Sequence, residues 1–344
     1  MKALQVVKYG RPSEALVRND IPLPEPGPGL VRIRVRAASL NFNDIDGCYG
    51  RHRTVKPPLP CTPGMDVCGE VDAAGEGAEH WIGRRVVAVT LMALGGYAEY
   101  ALAMKDAVFE APESLDDAEA TSFLLPFHTT RLALHRRAQL RAGETLLVHS
   151  GASGLGSAAI QLGVAAGARV FATAGGPDKA EYCSQLGAEV AIDHRSEDFA
   201  ERVFELTDGV GADVVCDLAG GDFTEPSWRC TAREGRYLLV GFADDPENGM
   251  TGRALRPAAQ GNFSIVGVMC AWIDNMPLVI RKTGLNPFPR AVADEVHGDL
   301  MRLLSDKQIH PTLERRVSLD EAPAALEAHE ARATVGRTAI VFNS

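Results

Sequence analysis

The chain has 344 residues, of which 46% are hydrophobic and 23% charged, so it has a globular composition and is too long for one typical core. Its net charge of −10 argues against nucleic acid or an anionic membrane as a partner, and no apolar run is long enough to span a bilayer. The first ten residues lack the layout of a signal peptide, and the seven cysteines are scattered without CxxC spacing. We therefore expect a cytoplasmic protein of two domains with reduced thiols.

The first third of the chain has the alternating pattern of a compact antiparallel β domain. Gly- and Pro-rich stretches separate its candidate strands. In the second of them several arginines share one face, which is either an anion site or, as we favour, a solvated strand face. The predicted strands are residues 2–8, 31–37, 65–73, 85–90 and 97–104.

A helix is predicted to follow this domain, with Ser114 as its cap. Asp116, Asp117 and Glu119 then lie in the first turn, where the helix dipole favours negative charge. We interpret this helix as the bridge into the second domain.

The stretch TLLVHSGASGLG, residues 145–156, reads as a strand, a tight turn of small residues and the start of a helix. Small residues let the backbone turn sharply and approach a pyrophosphate, which the first amides of the helix then hold. The spacing is G-x-S-x-x-G, with Ser153 where the strict fingerprint has glycine. Alone it also fits an ordinary turn of another α/β protein, so the residues that follow must decide.

Strands and helices alternate through the middle third. The strands are apolar almost throughout, as in a parallel sheet covered on both faces, and this rhythm predicts a doubly wound nucleotide fold. The candidate strands are residues 145–150, 169–174, 190–193, 213–218, 237–241 and 263–270. The candidate helices are residues 155–166, 178–186, 197–206 and 223–233.

The end of the second of these strands predicts the cofactor. An NAD site has an acidic residue there, whereas this strand ends Ala-Thr-Ala-Gly-Gly at residues 172–176. Lys179 follows in the next helix, and His194 and Arg195 follow the neighbouring strand. The absence of an acidic residue at this strand end and the presence of nearby cations together favour NADPH. The alternative is that Lys179 is a surface residue and His194 a loop residue.

The last part of the chain is mixed. It has a helical pattern at residues 293–304 and an alternating segment at 312–319. Ser318 and Glu321 resemble a capping box before a helix that runs to Ala331, and a closing strand is predicted at 338–342.

Taken together, these motifs resemble the medium-chain dehydrogenases/reductases, in the zinc-free quinone oxidoreductase branch that includes ζ-crystallin. The resemblance covers nearly the whole chain. It implies a GroES-like catalytic domain at residues 1–122, a Rossmann NADP-binding domain at 123–272, and a segment at 273–344 that returns to the catalytic domain. The motifs that carry it are residues 38–44, 63–66, 149–156, 188–195, 235–242 and 335–337.

Metal-dependent relatives hold a catalytic zinc with cysteine, histidine and glutamate. The corresponding positions here carry Asn43 or Asp44 and Gly-Met-Asp at residues 64–66, and Cys61 and Cys68 have the wrong spacing for ligands. We therefore expect no metal, and hydride transfer to a quinone or an activated C=C bond.

The resemblance also implies the residues of the site. Asn41, Phe42 and Asp44 are expected to border the nicotinamide and its ribose, and His194 stands where relatives often have tyrosine beside the 2′-phosphate. Arg337 is expected to reach the cofactor from the C-terminal segment. The remaining cofactor-binding residues are Thr129, Gly151, Ala152, Ser153, Gly154, Leu155, Gly156, Thr173, Gly175, Lys179, Gly241, Phe242 and Val268.

The catalytic step needs a donor for the oxygen on which charge develops. Asn41 is a candidate donor, Tyr49 a candidate acid and Asp44 a residue that orients its neighbours. The alternative for Tyr49 is a surface-loop aromatic, and the reaction can also depend mainly on positioning of the two reactants.

Substrate and assembly are less specified. The basic loop at residues 47–61, with Arg51, His52, Arg53 and Lys56, could bind coenzyme A phosphates or could simply be solvated, and residues 244–262 are a candidate flap. The apolar edge strand near residues 266–271 predicts a homodimer.

Three functions remain: a quinone reductase, an enone, alkenal or enoyl-thioester reductase, and an NADPH-binding sensor or structural protein without turnover.

Overall fold

The computed structural model of the chain describes residues 1–51, 56–245, 247 and 253–342. Within these ranges the chain divides into two compact units, which are treated separately below. The first unit comprises residues 1–125, 271–301 and 311–344, and the second comprises residues 126–270 and 302–310.

The first part of the chain forms six strands and two short helices before a longer third helix. The strands are β1 (Lys2–Val6), β2 (Leu16–Asp20), β3 (Leu30–Ser39), β4 (Asp66–Ala74), β5 (Arg85–Thr90) and β6 (Tyr100–Glu110). The helices are α1 (Pro12–Ala15), α2 (Phe42–Tyr49) and α3 (Asp117–Arg131).

The middle part alternates strands and helices as expected. Its strands are β7 (Thr145–Val148), β8 (Arg169–Ala174), β9 (Val190–Asp193), β10 (Ala212–Asp217), β11 (Thr231–Leu239) and β12 (Ser264–Gly267). Its helices are α4 (Gly154–Ala165), α5 (Pro177–Gln185), α6 (Phe199–Leu206), α7 (Thr224–Arg229) and α8 (Arg256–Gly261).

The final part adds three helices and two strands. They are α9 (Leu278–Arg281), α10 (Arg290–Ser305), β13 (Leu313–Val317), α11 (Ala322–Glu330) and β14 (Arg337–Val341). The Ser318 amide donates to the Glu321 carboxylate, which is one of the two bonds of the predicted capping box, and the Ser318 hydroxyl donates to the same carboxylate.

The sheet of the first unit curls on itself, because β3 pairs with both β4 and β6 in the strand order β13-β14-β3-β4-β5-β6. Val31, Ile33 and Val35 of β3 are buried in its core, while the intervening arginines point outward. Arg32 bonds Asp72 and Arg36 lies near Glu70, which supports the solvated-face interpretation. β14 pairs antiparallel with β3, with Ala339 opposite Ser39.

The sheet of the second unit is parallel in the strand order β12-β11-β10-β7-β8-β9. Counted along the chain, this is the doubly wound order predicted from the sequence. Its core includes Leu147, Phe171, Val215 and Tyr237, all fully buried. No helix in the ranges described is both long and apolar enough to cross a membrane.

Several predicted boundaries are wrong. The third helix begins at Asp117 and its cap is Asp116, not Ser114, because the Asp116 carboxylate accepts from the amides of Ala118 and Glu119. β6 begins at Tyr100 and runs on to Glu110, and β12 is confined to Ser264–Gly267. Of the basic loop, residues 52–55 lie outside the described part of the chain, and so do residues 246 and 248–252 of the candidate flap.

Candidate functional site

The glycine turn of the second unit lies between the end of β7 and the start of α4. Ser150 begins it with a positive φ of 53°, and the Gly151 amide donates to the carbonyl of Thr173 at the end of β8. Ser153 caps α4, since its side-chain oxygen accepts from the Gly156 amide at 3.0 Å. The serine that replaces the fingerprint glycine therefore stabilises the helix start.

Two glycines in the turn are required by close approach of other atoms. A Cβ atom on Gly156 would lie 2.1 Å from the carbonyl oxygen of Ser150. A Cβ atom on Gly151 would lie 2.7 Å from the Sγ of Cys183 on α5. Any side chain at either position would have to displace the turn.

The start of α4 can receive an anion. Among the described residues, the amides of Gly154 and Leu155 have no acceptor, and the positive end of the helix dipole lies there. This matches the turn residues predicted to hold a pyrophosphate, 151–156, which remain a prediction without a bound ligand.

The side chains of His194 and Arg195 lie over the end of β8. A Cβ atom on Gly175 would be 3.3 Å from Nε2 of His194 and 3.4 Å from Nε of Arg195. Asp193 fixes this arrangement, because its carboxylate accepts from the amides of Gly176 at 2.8 Å and Arg195 at 3.0 Å. These backbone bonds, that of Arg195 foremost, lower the pKa of Asp193. The Asp193 carboxylate is thus bound to backbone.

Lys179 lies in the first turn of α5, one turn before Cys183. It is half-buried, and its charge opposes the rise in the Cys183 pKa that burial causes. The structure therefore places Lys179 on the helix whose Cys183 packs against Gly151 of the glycine turn.

Three other predicted cofactor residues of the second unit follow the carboxyl ends of β11 and β12, and a fourth, Thr129, lies on α3. The Gly241 amide donates to the Asp217 carbonyl, and a Cβ atom there would lie 2.4 Å from the Leu218 oxygen. The Val268 amide donates to the Leu239 carbonyl. Thr129 is buried near the end of α3 and hydrogen bonds the Cys270 thiol. Phe242 directly follows Gly241.

A buried polar network occupies the first unit around the start of α2. The Asn41 side-chain amide donates to the Ser39 carbonyl and, at 2.7 Å, to Asp66. Its oxygen accepts from Arg337 at 3.0 Å, and Arg337 also bonds Asp66 at 3.2 Å. Arg337 is 3% exposed and Asn41 5%. The network thus joins the ends of β3, β4 and β14.

Asp44 accepts three hydrogen bonds within the same unit. Its donors are the amide of Asn41, the amide of Gly64 and the hydroxyl of Tyr97, at 2.9, 2.9 and 2.7 Å. Burial nevertheless raises the pKa of Asp44 to about 6, and it raises the pKa of Asp66 as well, although Arg337 and Asn41 oppose that rise. Sequence reasoning missed Tyr97, for which the only signal is its place beside Gly95 and Gly96.

These contacts bear on the predicted catalytic roles. Both side-chain amide hydrogens of Asn41 already have acceptors, so Asn41 has none left for a substrate oxygen in this arrangement. The Tyr49 hydroxyl donates to Glu330 of α11 at 3.2 Å, and the Arg51 guanidinium lies over the Tyr49 ring. The Arg337 guanidinium is held by Asn41 and Asp66, which sequence reasoning could not foresee.

A zinc ion does not fit this network. Three suitably grouped histidine, cysteine or acidic side chains do not occur in the part of the chain that the structure describes. The oxygens of Asp44 are bonded by amides and a phenol, and Asp66 is paired with a cation. Bringing a metal cation to Asp66 would set it against the guanidinium of Arg337.

Two protein families match the chain. The family described as alcohol dehydrogenase GroES-like domain matches residues 27–113, and the family described as zinc-binding dehydrogenase matches residues 154–283. A quinone oxidoreductase from Pseudomonas aeruginosa is 34% identical over 341 residues, which cover 99% of this chain and 99% of that protein.

Solved structures agree with these matches. The Escherichia coli quinone oxidoreductase complexed with NADPH has a TM-score of 0.87 at 26% identity, covering 99% of this chain and 100% of that one. A quinone oxidoreductase from Pseudomonas syringae pv. Tomato has a TM-score of 0.86 at 29% identity, covering 99% of each chain.

Proposed function

Because the chain belongs to the medium-chain dehydrogenase/reductase family, among its quinone oxidoreductases, we propose that it transfers a hydride from NADPH to a quinone. The observation that carries the choice of NADPH is the position of the His194 and Arg195 side chains over the end of β8, where the nearby Asp193 carboxylate accepts from backbone amides. The NADPH-bound Escherichia coli relative supports the same cofactor.

The second unit would hold the cofactor with backbone amides and cations. The free amides of Gly154 and Leu155 and the dipole of α4 favour the pyrophosphate, and Gly151 and Gly156 allow the tight conformation of the turn that presents these amides. A charge-assisted hydrogen bond contributes about 1.5–3 kcal/mol, so His194, Arg195 and Lys179 suffice to favour a 2′-phosphate. Thr129, Gly241, Phe242 and Val268 are proposed to line the nicotinamide side.

Bound NADPH would supply the hydride, and the chain's own residues would orient the reactants and handle protons. Asn41, with both amide hydrogens engaged, is proposed to fix the start of α2 and so the backbone of Phe42. Burial raises the pKa of Asp44 to about 6, and Asp44 accepts a hydrogen bond from Tyr97, so this pair is proposed to hold a proton inside the first unit.

The Tyr49 hydroxyl hydrogen is directed at Glu330, and burial together with Glu330 raises the pKa of Tyr49. Tyr49 is therefore proposed as the proton donor only after its hydroxyl turns from Glu330 towards the substrate. No step through a metal is proposed, because the side chains around Asp66 do not fit one.

The function is tested by adding wild-type protein to NADPH and following its oxidation with two panels of acceptors. One panel contains quinones and the other contains enones, alkenals and enoyl thioesters. We expect oxidation with quinones. Oxidation with the second panel alone would replace the proposal by the reductase of activated C=C bonds, and tight NADPH binding without turnover would indicate a sensor or structural role.

The chain is also proposed to form a homodimer through β12. This strand lies at the edge of the second unit's sheet, and Val266 on it is only partly buried. An edge strand with unpaired amides is a template for pairing with a second copy.

A further inference from the structure

His149 follows the last residue of β7 and precedes the glycine turn. Its side chain is fully buried, and its own amide donates to the carbonyl of Cys216 on β10 at 3.1 Å. A buried imidazole needs a partner for each ring nitrogen, and both partners are present. Nδ1 lies 3.0 Å from the Thr173 hydroxyl, and Nε2 lies 2.7 Å from the Ser227 hydroxyl.

The contacts of Ser227 decide which nitrogen carries the hydrogen. The Ser227 hydroxyl donates its single hydrogen to the carbonyl of Phe223 at 2.6 Å, so towards His149 it can only accept. Nε2 must therefore be the protonated nitrogen, and Nδ1 accepts from Thr173. One neutral tautomer satisfies a chain of three hydrogen bonds that begins on β8 and ends on the turn before α7.

This chain is connected to both parts of the proposed cofactor site. The backbone oxygen of Thr173 accepts from the Gly151 amide at 2.9 Å, so Thr173 links the imidazole to the first glycine of the turn. The Phe223 ring meets His149 edge-on at 5.1 Å between ring centroids and meets His194 edge-on at 5.0 Å. The Phe223 ring therefore contacts both His149 and His194, the residue that follows β9.

We propose that His149 is a positioning residue for the cofactor: its Nε2–H tautomer fixes the glycine turn through Thr173 and fixes His194 through Ser227 and Phe223. The proposal rests on the proposed function only in taking a dinucleotide phosphate as the ligand. His149 is covered by Phe199 and Phe223 and is not itself a contact of the cofactor.

The electrostatic surroundings keep the imidazole neutral. Burial lowers the pKa of His149 to about 4; the carboxylate of Asp217 opposes this, and His194 adds to it. The other groups packed against the ring, Thr173, Ser227 and the two phenylalanines, carry no charge. The hydrogen-bond directions are therefore constant over the neutral pH range.

The test compares variants that keep different parts of the chain of bonds. His149→Leu removes both bonds, while His149→Asn offers an oxygen near the Nδ1 position that can still accept from Thr173. Dissociation constants for NADPH and NADH are measured by fluorescence titration, and kcat is measured at saturating NADPH with the best acceptor. Val203→Ala is the matched control, because it opens a cavity in the same core on α6 without touching the chain of bonds.

We expect His149→Leu to weaken NADPH binding about tenfold while kcat at saturation stays within about twofold, and His149→Asn to recover part of the affinity. Unchanged affinity in His149→Leu, or an equal loss in Val203→Ala, would overturn the proposal. The histidine ¹⁵N spectrum of the wild type is an independent check: an Nδ1–H tautomer or a protonated ring at pH 6 would also overturn it.

The role of His149 and the proposed function can be tested independently. If the wild type binds NADPH but reduces no quinone, the proposed function fails and the affinity comparison still decides the role of His149. If the wild type binds neither dinucleotide, both are overturned.

Discussion

At the scale of single residues, cofactor preference depends on which cations contact the 2′-phosphate. His194 and Arg195 lie over Gly175, whereas Lys179 lies on α5 beside Cys183. We predict that Arg195→Ala weakens NADPH binding about tenfold and leaves NADH binding unchanged, because only NADPH has the extra phosphate. Lys179→Ala should also weaken NADPH binding and leave NADH binding unchanged, with a smaller loss of affinity than Arg195→Ala.

The measurement is a titration of each variant with both dinucleotides. Arg202→Ala, on the exposed side of α6, is a matched control because it removes an arginine from the same unit away from β8. Equal loss of NADPH and NADH in Arg195→Ala would show that this arginine supports the fold and not the phosphate.

The hydrogen bond from Tyr97 to Asp44 gives a prediction of pH dependence. The pKa of Asp44 is raised to about 6 in the folded protein, so its contribution to stability is full below its ordinary value of 3.8 and is lost as pH rises through 6. Tyr97 opposes that rise, since its hydroxyl donates to the carboxylate. Tyr97→Phe should therefore raise the pKa of Asp44 further.

It follows that Tyr97→Phe should lower the free energy of unfolding more at pH 7.5, where Asp44 is ionised, than at pH 5, where Asp44 is protonated. The expected cost is about 1.5–3 kcal/mol at the higher pH and about 1 kcal/mol at the lower, from urea unfolding of both proteins. Tyr100→Phe, on the outer face of β6, is the control. A pH-independent cost would mean that Asp44 does not titrate in this range.

At the scale of elements, the sequence predicts what is local. The parallel strands and the first helices of the second unit follow from apolar runs and turn residues that lie next to each other in the chain. The start of α3 is misplaced because Asp116 and Glu119 bond each other's backbone amides and compete successfully with Ser114. β12 is shorter than its apolar run, because beyond Gly267 only the Val268 amide bonds β11.

The candidate site also has a part that the sequence predicts and a part that it does not. The glycine turn could be predicted because its residues are contiguous and its steric needs are those of the backbone. The contacts of Asn41 could not, since Arg337 is 296 positions away and becomes its neighbour only when β14 pairs with β3. The partner of Tyr49 on α11 is equally remote in sequence.

Alanine substitutions at two helical glycines should have opposite effects. Gly156→Ala in α4 should abolish dinucleotide binding, because its Cβ would lie 2.1 Å from a backbone oxygen of the turn. Gly298→Ala in α10 should stabilise the protein by about 0.5–1 kcal/mol, since no atom lies within 4 Å of its Cβ and alanine is the better helix former.

Both variants are measured by thermal unfolding and by NADPH titration. Gly298→Ala should bind NADPH as the wild type does. Normal binding by Gly156→Ala would show that the turn can relax and that its close approach is not needed for the phosphate.

At the scale of the whole molecule, the proposed dimer is the feature open to test. Successive amides of a strand point to opposite sides, and the Val268 amide donates to β11, so the Gly267 amide faces away from the sheet. Gly267→Pro removes that outward donor and should yield monomers. Gly267→Ala keeps it, and its Cβ meets no atom of the chain within 4 Å.

Light scattering coupled to gel filtration measures the mass of all three proteins. A wild type that is monomeric at micromolar concentration, or a Gly267→Pro variant that remains dimeric, would contradict pairing through β12.

The position of β14 has a consequence for biosynthesis. The arginine that pairs with Asp66 is 271 residues further along the chain, in β14. The first unit therefore closes only after β14 has been synthesised, while the second unit, whose strands are encoded in between, can already fold during elongation. A chain truncated before Arg337 would leave Asp66 without its guanidinium.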